Sequence, residues 1–88
     1  LVQTLTTKDI DSKVATLLLN LSHSFGTQTS KGITITLPLN REDMGNYLGL
    51  TRETVSRHLS LLQSKGIIKL EGSKSILIKD IAALKELL

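Results

Sequence analysis

The sequence contains no cysteine among its 88 residues. Neither a disulfide nor a thiolate metal ligand can therefore stabilise the fold, and the redox compartment stays open. Aromatic residues are also scarce, because the 2% aromatic content consists of Phe25 and Tyr47 alone. Hydrophobic residues nevertheless make up 40% of the chain. We expect a single domain whose core is built from leucine and isoleucine, with Phe25 and Tyr47 as its only rings.

Long apolar runs are missing too, since none approaches the ~18 residues that a membrane-spanning helix needs, and no signal-peptide pattern opens the chain. We therefore expect a cytoplasmic domain with no membrane partner. The formal charge of +3 permits nucleic-acid binding without requiring it. The chain begins at Leu1 rather than at methionine. We interpret residues 1–8 as the end of a connection from a missing segment, and residues 9–88 as the domain.

Periodicity in the first half predicts a helix and then a strand. From Asp9 to Gly26, apolar residues recur at helical spacing. These residues are Ile10, Val14, Leu17, Leu18, Leu21 and Phe25. The following stretch, GITITLPL, alternates isoleucine with threonine, which is typical of a half-buried strand that Pro38 ends.

Two helices with a tight turn between them follow. Asn40 is a good N-cap for a short helix that ends at Gly49. Its Met44 and Tyr47 are expected in the core, and Gly45 is expected to let the two helices approach closely. Thr51 caps the next helix, predicted over residues 52–65, before Gly66 provides the left-handed residue that ends it.

The remaining sequence, IIKLEGSKSILIKD, has two β-rich runs around the turn GSK and predicts a hairpin. Asp80 then caps a last short helix. The predicted fold class is mainly α with a small β-hairpin (α+β). The predicted architecture is a winged helix-turn-helix, with a three-helix core plus a wing.

The helix at residues 52–65 has two distinct faces. At 100° per residue, its apolar residues fall within roughly 60°, and its polar residues within a separate arc of roughly 140°. The apolar residues are Val55, Leu59 and Leu62, and the polar ones are Arg52, Glu53, Ser56, Arg57, Ser60, Gln63 and Ser64. Three serines among charged residues are unusual for a face that contacts only water, and small hydroxyls let a partner come close.

The polar residues in the first turns of this helix fit a DNA major groove. Arginine can bond guanine O6 and N7 together, glutamate can accept from cytosine N4, and serine can bond a base or a phosphate. We predict base contacts by Arg52, Glu53, Ser56 and Arg57. We predict phosphate contacts by Thr51, Ser60, Ser73 and Lys74.

Structural alternatives remain open for several of these residues. Glu53 could stabilise the helix dipole, and Arg57 could pair with Glu53 at i, i+4 spacing. Lys74 could be a solvated turn residue. A winged helix could also serve protein–protein contact, or be an accessory domain of a larger enzyme. Exposed apolar or aromatic anchors on the second helix would favour that alternative, and its polar arc contains none.

Chemistry of other kinds lacks support in the sequence. His23 and His58 have no second ligand at metal spacing, and we assign each a surface or boundary role. We find no set of nucleophile, base and acid, so we predict that the domain is not an enzyme. We also predict that this segment holds no cofactor.

The segment LNREDMGNYLGLTRETVSRHLSLLQSKGII, residues 39–68, resembles the helix-turn-helix of Crp/Fnr-family bacterial transcription regulators, and the similarity extends from about Thr7 to Leu88. The portion GNYLGLT-E-T-SR-L is similar to the Fnr branch. The resemblance implies base contacts by Glu53, Ser56 and Arg57 on a TGA-like half-site. Arg52 departs from the Fnr pattern and resembles the cyclic-AMP receptor branch, which leaves the outer bases undecided.

The resemblance also implies the rest of the protein. Family members carry an N-terminal effector domain and a long dimerisation helix, and act on DNA as homodimers that activate or repress transcription. An RNA polymerase partner would belong to the full-length protein. An iron–sulfur cluster or a cyclic-nucleotide site would lie in the missing N-terminal domain.

Overall fold

A computed structural model describes residues 6–88 of the chain. Within this range four helices and four strands follow one another: α1 (Thr7–Phe25), β1 (Gly26–Thr29), β2 (Gly32–Thr36), α2 (Arg41–Leu48), α3 (Arg52–Ser64), β3 (Ile68–Leu70), β4 (Ser75–Ile78) and α4 (Ile81–Lys85). The winged helix-turn-helix prediction is confirmed, with α2 and α3 as the helical pair and β3 and β4 as the wing. Of the segment predicted to be a connection, residues 1–5 lie outside the described residues.

Helix α1 begins with a reciprocal cap. The Thr6 hydroxyl accepts a hydrogen bond from the Asp9 backbone N–H at 3.1 Å, and the Asp9 carboxylate accepts from the Thr6 N–H at 3.0 Å. The Thr6 hydroxyl also donates to the Asp9 carboxylate at 2.9 Å. The bond from the Thr6 N–H and, second, the bond from its hydroxyl lower the pKa of Asp9. The apolar spacing predicted this helix, but the sequence interpretation did not include the capping box.

The buried face of α1 follows the predicted stripe, with Val14, Leu17, Leu18 and Leu21 in the core. The prediction was wrong for Phe25, which is 47% exposed. Phe25 is the last residue of α1, and the chain turns there into β1, whose residues are all exposed. The apolar spacing therefore extends one turn farther along α1 than the packing that buries the other residues of the stripe.

The strands form one antiparallel sheet in the order β1-β2-β4-β3. The predicted hairpin of β3 and β4 is confirmed, but β2 joins it, with Ile35 opposite Ile76. Strand β1 was not predicted, because its sequence GTQT has no apolar residue. It is an exposed edge strand whose order comes from pairing with β2.

The turn between α2 and α3 is held by close backbone contact. The Asn40 side chain caps α2, and Gly49 ends it in the left-handed conformation at φ 72°. A Cβ at Gly45 would lie 2.5 Å from the carbonyl oxygen of Leu50, which confirms that a small residue is needed there. Thr51 caps α3, and the helix ends at Ser64, one residue before the predicted end.

Tyr47 of α2 was predicted in the core, but it is 73% exposed. The buried residues of α2 are Met44 and Gly45, and Leu48 is half-buried between them on the same face. At 100° per residue this face turns away from Tyr47. The core is thus almost wholly aliphatic, and its fully buried side chains include Leu18, Ile35, Met44, Leu59, Leu62, Ile76 and Leu84.

Among residues 6–88, no helix is both long enough and apolar enough to cross a membrane.

Candidate nucleic-acid interface

Helix α3 has the two faces that its sequence predicts. Val55, Leu59 and Leu62 are fully buried, and they hold the helix against the rest of the domain. Arg52 and Arg57, which lie outside that buried face, are exposed to solvent. Burial of the apolar face therefore fixes the helix while its polar face stays available to a partner.

A shallow concavity of about 400 Å³ lies beside the start of α3. Its lining comes from three elements and consists of Asn40, Arg41, Glu42, Arg52, Glu53, Ser56 and Ser73. The fold thus brings three of the four predicted base-contact residues together with one predicted phosphate-contact residue of the wing. Arg57 is exposed one residue beyond Ser56 and does not line the concavity.

The charged side chains at the start of α3 interact only weakly with each other. Arg52 Nη2 lies 3.8 Å from Glu53 Oε1, and both side chains are largely exposed, so this pair contributes little to stability. The alternative pairing of Arg57 with Glu53 does not form, and Arg57 makes no ion pair within residues 6–88. No carboxylate of these residues therefore competes with a partner for the Arg57 guanidinium.

The predicted phosphate-contact residues lie on two elements. The Thr51 hydroxyl accepts from the Thr54 N–H at 3.1 Å and donates to Thr54 Oγ1 at 2.9 Å. Binding a phosphate through this hydroxyl would require that donated bond to switch. Ser60 is exposed on α3, and Ser73 and Lys74 are exposed at the wing tip.

Arg41 is a residue of the concavity that the sequence interpretation missed. Its Nη1 donates to the Ser73 carbonyl oxygen at 3.5 Å, which links the start of α2 to the wing. Burial lowers the pKa of the Arg41 guanidinium. No local pattern signals this contact, because 32 residues separate its partners.

Gln63 also has a role that its position in the polar arc did not predict. Its Oε1 accepts a hydrogen bond from the Leu70 N–H at 2.7 Å. This bond joins the end of α3 to the first strand of the wing. The polar residues of α3 therefore differ in role: those in its first turns face outward, whereas Gln63 near its end is bonded to the wing.

The two histidines differ. His23 is exposed, as predicted, whereas His58 is buried, and its Nδ1 lies 2.7 Å from Oδ1 of the buried Asp11. The predicted surface or boundary role of His58 was wrong. Its ring can be buried because it has a hydrogen-bond partner, Asp11, on α1. In residues 6–88 no group of three or more potential ligands could hold a metal ion.

Comparison with known proteins identifies the family. The sequence model of the family described as "Crp-like helix-turn-helix domain" matches residues 12–87. This chain belongs to that family. The Crp-like domain is a DNA-binding domain of transcription regulators.

Two relatives of this Crp-like domain are regulators by name. It is 40% identical over 81 residues to the nitrogen fixation regulation protein FixK of Azorhizobium caulinodans, which covers 91% of this chain and 33% of the relative. It is 40% identical over 72 residues to the CRP-like cAMP-activated global transcriptional regulator of Mycobacterium tuberculosis H37Rv, covering 82% of this chain and 32% of that protein.

A solved structure of the CO-dependent transcription factor CooA from Carboxydothermus hydrogenoformans has the same fold. The match has a TM-score of 0.84 and 34% identity, and it covers 91% of this chain and 37% of the CooA chain. The Crp-like domain therefore spans about a third of the length of the relatives that it matches.

Proposed function

We propose that the domain reads a TGA-containing half-site in the DNA major groove through the first turns of α3. In this proposal Arg57 bonds guanine, Glu53 accepts from the opposing cytosine, Ser56 contacts a neighbouring base, and Arg52 sets the preference at the outer bases. A bidentate arginine contact discriminates between bases by roughly 1–3 kcal/mol.

The observation that carries the proposal is the outward face of α3 beside the concavity. Arg52, Glu53 and Ser56 line that concavity together with the wing. The alternative of a protein-binding module predicts apolar anchors at the same place. The large exposed apolar side chains in the described part of the chain are Phe25, Tyr47, Leu61 and Leu88, and none of them lines it.

Contacts to phosphates would hold the duplex against this face. Thr51 at the start of α3, Ser60 farther along it, and Ser73 and Lys74 on the wing are the proposed residues. Each neutralised phosphate should lower log K by about 0.9 per unit of log salt concentration.

The proposal extends to the protein of which this domain is a part. The residues before the Thr6 cap of α1 would end a connection from a dimerisation helix and an effector domain. The homodimer would bind a near-palindrome with half-sites about 34–36 Å apart, and would contact RNA polymerase in the cytoplasm. This segment would carry neither an enzymatic activity nor a cofactor, so that signal sensing would lie elsewhere in the protein.

A gel-shift titration tests the proposal directly. The chain, alone and fused to a dimerising helix, is titrated with a duplex carrying TGA half-sites and with a random duplex of equal length. We expect the wild type to prefer the TGA duplex and Arg57→Ala to lose most of that preference. Equal binding of both duplexes by the dimerised wild type would contradict specific reading.

A further inference from the structure

The core contains one buried pair of ionisable side chains among residues 6–88, Asp11 on α1 and His58 on α3. His58 Nδ1 and Asp11 Oδ1 are 2.7 Å apart, although 47 residues separate the two positions. The side chain of His58 is 5% exposed and that of Asp11 is 10% exposed. A single short polar contact therefore joins α3 to α1 inside the core.

Stability alone does not explain such a pair. Replacing both partners of a buried hydrogen bond with apolar groups of similar shape can be nearly neutral, and a buried ion pair often contributes no more than a hydrophobic one. Removing only one partner is costly, because the other is then left buried and unpaired. Net stability therefore does not distinguish this pair from an apolar pair of equal volume.

What distinguishes the pair is its directionality. A hydrogen bond between Nδ1 of His58 and Oδ1 of Asp11 has a preferred line and weakens when the two atoms leave it. Apolar side chains such as Leu59 pack without a preferred direction, and hydrophobic cores lose uniqueness of packing before they lose stability. A directional bond between α3 and α1 therefore restricts rotation of α3 about its own axis in a way that apolar packing does not.

The position of His58 makes that rotation important for DNA. His58 directly follows Arg57, and at 100° per residue it lies roughly opposite the middle of the polar face of α3. Two residues after Asp11, Lys13 Nζ donates to the Leu48 carbonyl oxygen at 3.2 Å. The same part of α1 therefore contacts both helices of the helix-turn-helix pair.

From this geometry we infer that Asp11 and His58 are positioning residues for base reading. They set the rotation of α3 that aims Glu53, Ser56 and Arg57 at base edges, while Val55, Leu59 and Leu62 supply its stability. The inference rests on the proposed function, since it concerns how the same face of α3 is held.

The test separates stability from specificity with an apolar pair. The double variant Asp11→Ala/His58→Leu keeps nearly the volume of the wild-type pair and uses two good helix formers. Its Tm is compared with that of the wild type, and its affinities for a TGA half-site duplex and a scrambled duplex are measured by fluorescence anisotropy at one salt concentration. We expect a Tm close to that of the wild type and a loss of about tenfold in the ratio of the two affinities.

Two single variants complete the set. Asp11→Asn keeps a polar group that can bond Nδ1 of His58, and we expect it to keep the affinity ratio within about twofold even if its Tm falls. Thr16→Ala is the matched control on α1, because the Thr16 hydroxyl bonds only within that helix, to the Ser12 carbonyl oxygen at 2.8 Å. It should leave the ratio unchanged.

The outcomes distinguish this inference from the proposed function. If the wild type discriminates between the duplexes and the double variant does so equally well, positioning by the pair is overturned while specific reading stands. If the double variant does not fold, unchanged discrimination in a folded Asp11→Ala variant, which removes the group that bonds His58, overturns it. If the wild type itself does not discriminate, the proposed function fails, and this inference fails with it.

Discussion

The two faces of α3 differ in burial and in charge, although their residues alternate closely along the chain. Leu59 is fully buried, whereas Arg57, two residues earlier, is exposed and without an ion pair in the described part of the chain. The comparison implies that stability and DNA reading are separable within one thirteen-residue helix. Substitutions on the buried face should change the free energy of unfolding, and substitutions on the exposed face should change DNA affinity.

The largest effect is expected from Leu59→Ala. Loss of a fully buried leucine should lower the free energy of unfolding by roughly 2–5 kcal/mol, from lost burial and from the cavity left behind. Chemical denaturation followed by circular dichroism measures it. Leu61→Ala, on the same helix but 40% exposed, is the matched control and should cost far less. Similar losses for both leucines would contradict the division into faces.

Gly45→Ala tests the contact that sets α3 against α2. The new Cβ would lie 2.5 Å from the Leu50 carbonyl oxygen, so the backbone of the turn must move. We expect a loss of roughly 1–3 kcal/mol in the free energy of unfolding. Asn46→Ala, at the exposed neighbouring position, should be close to neutral, and an equally neutral Gly45→Ala would show that the turn yields freely.

Arg57→Ala should leave the free energy of unfolding within about 0.5 kcal/mol of the wild type. Discrimination between TGA and mutated half-sites should fall by roughly 1–3 kcal/mol. Arg57→Lys is the sharper control, since it keeps the charge but loses the planar fork. We expect it to retain non-specific affinity and to lose most of the discrimination. A full retention of specificity by Arg57→Lys would argue against a bidentate contact.

Lys74→Ala should have a smaller effect that is uniform across DNA sequences. Loss of one phosphate contact lowers the slope of log K against log salt concentration by about 0.9 without changing base preference. Titrations at several salt concentrations measure the slope. Lys79→Ala removes an exposed lysine that follows the far end of β4. A matching drop in its slope would mean that the effect comes from net charge alone.

The smallest effect is expected from Asp9→Asn, which should change how the free energy of unfolding depends on pH. The pKa of Asp9 is lowered in the folded state by hydrogen bonds from Thr6. The cap therefore contributes fully above the ordinary value of 3.8, and its contribution is lost as pH falls through the lowered pKa. The free energy of unfolding should decline less between pH 5 and pH 2.5 for Asp9→Asn than for the wild type. Equal declines would exclude the capping carboxylate as a source.

The features that the sequence predicted well are local ones. Asn40, Thr51 and Asp80 each cap a helix through a bond to a backbone N–H three residues later. Gly49 and Gly66 end helices with positive φ. Such features depend only on neighbouring residues, so a single sequence suffices to predict them.

The features that were missed or wrong depend on distant residues. The exposure of Phe25 and Tyr47 depends on which element covers each helix face. Strand β1 forms because it pairs with β2, and its own composition does not predict a strand. The Asp11–His58 pair joins positions 47 residues apart, and no spacing rule predicts it. The residues of the candidate interface could be predicted from the face of one helix, but the supports that orient that face could not.

The wing is bonded to the helical pair at two points, through Arg41 at its tip and Gln63 at its base. A hinge between α3 and the wing would let the domain adapt to grooves of different width. These two bonds oppose such a hinge, so more of the adjustment falls on a duplex that contacts both α3 and the wing. The energy needed to deform DNA depends on its base steps. A domain held in this way would prefer easily bent sites, even at positions where no side chain contacts a base.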